Sequence, residues 1–268
     1  MAIAAGCFLR GRADGRPDEA PVRRVCLSAF AMDAHLVTRE AFGAFVREAG
    51  YRTDAERQGM GFGARLGMRD WEWERTIDGS WQRPNLLPED AYAHEFVHPL
   101  APAVMVSWRD AAAYCAAQGK RLPTEAEWEY AMRAGSQGTR YPWGDEAADA
   151  SGQYLLNYWQ GKTHAENSRA DGYVYVSPIN AYPPNAWGLY DPVGNVWQWT
   201  SDWYAHDAYG RASEQDPRGP DAGVEHVARG GSWWCGKCTC EGNGLYYRGK
   251  GRPNSVMNNN GFRCAAGM

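Results

Sequence analysis

An α+β fold with little regular secondary structure is predicted, on three observations. The 268 residues include 13 Trp, 15 Tyr, 31 Gly and 15 Pro, and 22% are charged. This is a composition of long ordered loops around large rings, not of a helical bundle. Only three segments carry the caps and spacing of amphipathic helices. Apolar runs with strand character are few and short.

In chain order, strands are expected at Cys7–Arg10 and over Val22–Met32. A helix follows from about Thr38 through Phe42, Phe45 and Val46 to a stop at Gly50, where a left-handed cap is wanted. A strand is expected at Val104–Val106. The next helix begins at Ser107 with Asp110 three residues on, a capping-box pattern, and ends before Gly119. Thr124 and Glu127 repeat the device for a third helix ending at Gly135. Val174–Val176 and Gly261–Ala265 complete the expected strands. The remainder reads as turn-rich, aromatic-rich loop, and loops this long are normally functional or held by metals or disulfides. No linker, charge run or repeat marks a boundary, so one domain over 1–268 is expected.

With 28 basic and 32 acidic side chains the formal net charge is −4, so no nucleic-acid partner is expected. The apolar stretch after Met1 is interrupted by Arg10 and Arg12, and no run approaches the roughly 20 apolar residues of a membrane span. A soluble, cytoplasmic protein is the expectation. His94 and His98 have the spacing of a metal pair, but Pro99 follows at once and they read as surface residues.

Seven Cys cannot all pair internally. Three of them cluster in Cys235-Gly-Lys-Cys238-Thr-Cys240, on a segment too Gly-rich for a helix. Such thiols can converge on a soft cation such as Cu(I), or form a disulfide, or pack as small buried groups. A structural zinc or iron–sulfur site normally wants four ligands, and no second pair supplies them. Cys7 and Cys26 lie in the first two expected strands and could face one another; buried free thiols are the expected state.

The runs Val106-Ser-Trp-Arg-Asp, Lys120-Arg-Leu-Pro-Thr-Glu-Ala-Glu-Trp-Glu-Tyr130, Tyr141-Pro-Trp-Gly-Asp145, Asn185-Ala-Trp-Gly-Leu-Tyr-Asp-Pro-Val-Gly-Asn-Val-Trp-Gln-Trp199, Arg229-Gly-Gly-Ser-Trp233 and Gly261-Phe-Arg-Cys264 resemble the formylglycine-generating enzyme, or sulfatase-modifying factor, family. The resemblance covers nearly the whole chain and implies a C-type-lectin-like fold. It implies a copper-dependent oxidase that uses O2 to convert a cysteine of a protein or peptide, by default a sulfatase Cys-x-Pro-x-Arg segment, to Cα-formylglycine. Cys235 and Cys240 match the family's Cu(I) pair, with Cys238 an additional thiol that is a third ligand, a resolving cysteine or an inert neighbour. The resemblance implies that the first cysteine of the pair engages the substrate thiol. Ser232 and Trp197 match residues lining the active site. Arg248, Pro253 and Asn259 match groove positions, and Trp233, Arg248 and Asn259 are the expected substrate-binding residues.

The resemblance also implies a disulfide between Cys115 and Cys264, with Met132 and Leu245 replacing the partners of a second one. It implies a Ca2+ site from Asn157, Tyr158, Asp171 and Tyr173, and a second from Asp191, Gly194, Val196 and Gln198, where the family commonly has Glu at the last position. Asx-turns without metal are the alternative. One departure stands out: Cys240 is followed by Glu241-Gly-Asn-Gly-Leu-Tyr-Tyr247, where the family's oxidases carry an Arg-Tyr-Arg type run. The scaffold also serves binding proteins, so the competing expectation is a non-catalytic binding or immunity protein displaying residues 233–260, whose Gly, Asn and Tyr resemble an adaptable paratope. An iron-dependent sulfoxide synthase, the third reading, is not expected, because the chain has no His-x-x-x-His-x-Glu pattern.

Overall fold

The structure, a computed structural model, describes residues 1–84 and 89–268. The elements in chain order are β1 (Ala2–Ile3), β2 (Gly6–Arg10), β3 (Arg23–Leu27), β4 (Phe30–Met32), α1 (Arg39–Ala49), α2 (Asp54–Gln58), β5 (Met60–Gly63), β6 (Glu74–Ile77), α3 (His94–Val97), α4 (Trp108–Ala117), α5 (Glu125–Arg133), β7 (Trp197–Trp203), α6 (Ala208–Arg211), β8 (His226–Arg229), β9 (Arg248–Gly251), β10 (Asn260–Gly261) and β11 (Ala265–Gly267). Among the described residues no helix is long and apolar enough to cross a membrane.

The three expected helices form where their caps lie. Thr38 accepts the Ala41 N–H, and Gly50 closes α1 in the left-handed conformation at φ 58°. Ser107 with Asp110 and Thr124 with Glu127 form reciprocal capping boxes on α4 and α5. A third box, Thr53 with Glu56, starts the short α2, which the sequence reading does not separate from the surrounding loop. His94 opens the four-residue α3 and is exposed, as is His98 beyond its end.

The strands depart further from expectation. Val22–Met32 is two strands, not one: at Ser28 the N–H and hydroxyl both bond the Asp216 carboxylate, breaking the ladder. Val174–Val176 is buried but is no strand, because the Glu95 carboxylate takes the N–H groups of Val174 and Tyr175. Val104–Val106 is likewise buried loop, with Met105 at φ 55°. Of Gly261–Ala265, only the two ends pair, as β10 and β11.

The four-stranded sheet, in the order β10-β7-β8-β9, positions the site. Parallel pairing sets Asn260 beside Trp197, and antiparallel pairing sets Arg229 opposite both Gln198 and Arg248. β8 then runs into Gly230 and Gly231, at φ 94° and 76°. A side chain on Gly231 would meet the Asn243 backbone nitrogen at 2.6 Å, so this turn needs glycine. It delivers Ser232 and Cys235 to the end of the sheet.

Cys115 and Cys264 form a disulfide tying α4 to the C-terminal segment. Met132 and Leu245 are fully buried in one apolar cluster, so packing takes the place of a bridge. Cys7 and Cys26 correct the sequence reading: as direct partners across β2 and β3 they are joined as a disulfide. Neither is buried.

His226 packs between the indoles of Trp108 and Trp203, each with centroids 3.7 Å away. Its Nδ1 lies 3.2 Å from the Asp202 carbonyl oxygen and its Nε2 has no partner. Burial lowers its pKa from the ordinary 6.5 to about 4. The unfolded chain therefore takes up this proton as pH falls through 6.5 while the folded chain resists until about 4, so stability declines across that window and levels off below it. NMR titration of the imidazole is expected to show His226 neutral at pH 5; a midpoint near 6.5 would refute this.

Candidate active site

A cavity of about 520 Å³ opens at the end of the four-stranded sheet and is lined by Cys235, Cys240, Trp197, Trp234, Asn259 and Asn260, with Trp71, Trp73, Arg16 and Tyr247 among the residues around it. Cys235 and Cys240 converge on its wall and are joined as a disulfide. Cys235 is buried and Cys240 half-buried, so the second cysteine is the more accessible.

Ser232 is fully buried beneath the pair. Its Oγ is 3.7 Å from Cys235 Sγ, accepts the Asn259 Nδ2–H at 3.1 Å, and accepts the Trp234 N–H at 3.3 Å. With a nitrogen donor on each side, its own proton is directed toward sulfur. The Asn259 Oδ1 is buried without a hydrogen-bond partner. Trp197 is fixed as a wall: side chains on Gly242 and Gly249 would meet its ring at 2.7 and 2.8 Å, and Tyr247 packs on it with centroids 5.7 Å apart.

The expected substrate-binding residues Trp233 and Arg248 are both buried. Trp233 is fully buried in the core, edge-on to Phe96 and Tyr175; its neighbour Trp234 is the indole on the cavity wall. Arg248 borders the cavity, yet its guanidinium turns into the protein. Its Nε is 2.7 Å from Glu125 Oε1 and its Nη2 is 3.0 Å from Oε2. The other cationic residues around the cavity are Arg16, 3.5 Å from Asp18, Lys250, paired at 3.1 Å with Glu225 of the same lining, and Arg252. Trp71, Trp73 and Arg16 carry no local signal in the sequence and meet the thiols only through the tertiary fold.

Of residues 233–260, Trp233 through Gly236, Gly242 through Tyr246, Arg248, Val256 and Asn258 through Asn260 are buried, while Lys237 through Glu241 and most of Gly249 through Ser255 reach the surface.

At the first expected calcium set, Asp171 Oδ2 accepts the Tyr158 N–H at 3.0 Å and Oδ1 the Tyr173 N–H at 3.1 Å. Asn157 donates Nδ2–H to the Tyr175 carbonyl at 2.6 Å, which aims its Oδ1 the other way. Burial, with Glu95 nearby, pushes Asp171 up to about 7. At the second set, Asp191 Oδ2 is buried without a partner and burial likewise raises this group to about 7. Gly194 and Val196 are buried beside it. Gln198 Oε1, however, already accepts from Trp128 Nε1 at 2.9 Å and from Arg263 Nε at 2.8 Å, which uses both lone pairs.

The family model described as "Sulfatase-modifying factor enzyme 1-like domain" matches residues 1–268. The chain is 40% identical to the formylglycine-generating enzyme of Mus musculus, over 98% of this chain and 74% of that protein. It is 39% identical to the formylglycine-generating enzyme of Thermomonospora curvata, over 99% and 92%. It is equally similar, at 39% over 95% and 82%, to a Bos taurus protein named inactive C-alpha-formylglycine-generating enzyme 2. Among solved structures, PvdO from Pseudomonas aeruginosa superposes with a TM-score of 0.73 at 26% identity, covering 100% of this chain and 93% of that one. The fold is therefore the C-type-lectin-like one, and this chain belongs to the formylglycine-generating enzyme, or sulfatase-modifying factor, family.

Proposed function

We propose that this protein is an oxidase that converts a cysteine of a protein or peptide substrate to Cα-formylglycine, using O2 and a copper ion held by Cys235 and Cys240. The observation that carries this reading is the convergence of those two sulfurs on the wall of an open cavity, with the Ser232 hydroxyl beside one of them. It separates this chain from a bare scaffold, which needs no paired thiols in its cleft.

The donor set fits the metal. Two soft sulfurs close enough to bond one another also suit one Cu(I) once reduced. Copper bound there supplies the electron transfer to O2. The chain's own residues do the rest. Half-buried Cys240 is placed where an incoming substrate thiol first reaches the pair. Ser232 orients Cys235 and shields it, and Asn259 holds Ser232. The indoles of Trp197 and Trp234 give the substrate segment apolar walls that exclude water. The substrate cysteine loses its thiol proton, one Cβ proton and two electrons to become a thioaldehyde, the electrons and both protons passing to O2, and water then replaces the sulfur to leave the aldehyde and hydrogen sulfide. The default substrate is a sulfatase Cys-x-Pro-x-Arg segment.

Calcium belongs at the first set, where Asn157 and Asp171 supply hard oxygens and a cation would relieve a carboxylate driven upward by burial. At the second set Asp191 suits a cation and Gln198 does not.

The test is mass spectrometry of a Cys-x-Pro-x-Arg peptide incubated with reduced, copper-loaded protein, in air and under nitrogen. The aldehyde is expected in air alone. No product with copper, calcium and air all present would reject this reading.

A further inference from the structure

Outside the Cys235 and Cys240 pair, the metal-ligating cluster found among the described residues is Asp70, His164 and Cys238, whose ligand atoms lie within 4.8 Å of one another. Three separate stretches of chain meet here. His164 is completely buried, its ring stacked on the Trp234 indole with centroids 3.4 Å apart. Its backbone N–H donates to Asp70 Oδ1 at 2.9 Å, which holds the carboxylate against the ring.

The imidazole faces more acceptors than it has hydrogens. Its Nε2 is 2.9 Å from the Trp234 carbonyl oxygen, and its Nδ1 is 2.8 Å from Asp70 Oδ1. A neutral imidazole carries one N–H. The carbonyl has no proton to share, so Nε2 carries the hydrogen and Nδ1 points a lone pair at a carboxylate oxygen. Two lone pairs facing at that distance require a positive centre between or beside them. Imidazolium would supply one, at the cost of burying a charge; a metal ion supplies it with the nitrogen left neutral. The third donor is at hand, with Cys238 Sγ 3.7 Å from Nδ1 and 3.6 Å from Nε2. Near-equal distances put the sulfur over the ring rather than along the Nδ1 lone pair, so this half-buried side chain must swing toward Asp70 to complete the set.

We propose that Asp70 Oδ1, His164 Nδ1 and Cys238 Sγ form a site for one divalent cation of the zinc class, with a fourth position open. The mixed oxygen, nitrogen and sulfur set suits a borderline ion, whereas the neighbouring all-sulfur pair suits a soft monovalent one. The Nε2–H bond to the Trp234 carbonyl is the outer contact that fixes tautomer and ring orientation at a ligating histidine. On binding, the Cys238 thiol releases its proton to solvent. Because Trp234 also lines the cavity, occupancy would stiffen that wall. The proposal does not depend on the oxidase reading.

The experiment keeps the full chain with Cys235 and Cys240 oxidised, so that Cys238 is the free thiol among the described residues. Co2+ is titrated as a spectroscopic probe and then displaced with Zn2+. One equivalent of Co2+ is expected to give a thiolate charge-transfer band that Zn2+ abolishes. Zn2+ should also slow alkylation of Cys238 by iodoacetamide at least about tenfold, and Cys238→Ser and Asp70→Asn should each weaken Zn2+ binding about 10–100-fold. No cobalt–thiolate band in the unmodified protein would overturn the site, as would equal Zn2+ affinity in folded Cys238→Ser. The alkylation assay needs no variant, so it decides even if one fails to fold.

Discussion

Replacing either Cys235 or Cys240 by Ala is expected to cut formylglycine production by at least about a thousandfold, with each single variant as damaging as the pair together. Two donors that hold one ion act as a unit, and one remaining thiolate in an open cavity cannot retain a soft monovalent cation against solvent thiols. Bound copper, measured after removal of excess metal, should fall from one equivalent to none in both variants. Thermal unfolding compared under reducing conditions, where the Cys235–Cys240 bridge is open in every form, separates this loss from a folding defect. Wild-type product formation by either variant would rule out the paired-thiol centre.

Glu125→Ala is expected to destabilise the fold by about 3–5 kcal/mol, the usual consequence of leaving buried charges without their partner. Glu125 is 2% exposed. Its carboxylate meets Arg229 Nη1 at 2.6 Å, Arg248 Nε at 2.7 Å and Arg10 Nη2 at 2.8 Å. One turn along α5, Glu129 meets Arg229 at 2.9 Å and Arg133 at 2.7 Å. Burial alone would raise both acids. Arg248, Arg10 and Arg229 outweigh it at Glu125 and hold that group far below its ordinary 4.5, while Arg133, Arg229 and Arg10 bring Glu129 down to about 2. Acids depressed in this way contribute stability above their ordinary pKa and lose it only as pH falls toward the folded values, so the network persists at mild acidity. Urea unfolding at pH 7 measures the effect; a loss below about 1 kcal/mol would mean that surrounding groups or water compensate the stranded guanidinium ions. The network lies directly under the site, since Arg248 and Arg229 are partners across β9 and β8.

The helices were legible because their signals are local. A cap and its partner three residues on are fixed by one turn of backbone, so Thr38, Ser107 and Thr124 announce α1, α4 and α5 whatever else the chain does. The four-stranded sheet was not legible. Within Trp197–Trp203 the buried residues do not alternate, because a strand paired on both edges and packed on both faces loses the period-two pattern. The pairing of Cys7 with Cys26 depended on register between two strands. The buried Val174–Val176 was misread because a carboxylate from α3, not a neighbouring strand, satisfies its backbone.

From the residues and their order alone came the family, the helix starts, the link between Cys115 and Cys264, and the two thiols five positions apart. The helix starts and the thiol pair rest on local spacing, whereas the family rests on matched motifs and the link between Cys115 and Cys264 on what that resemblance implies. The fold alone decided that Trp234 rather than Trp233 faces the cavity, that Arg248 points inward to Glu125, and that Cys238 stands beside a buried histidine and Asp70. Which way a side chain faces depends on neighbours tens or hundreds of residues away, and those contacts exist only after the sheet has closed.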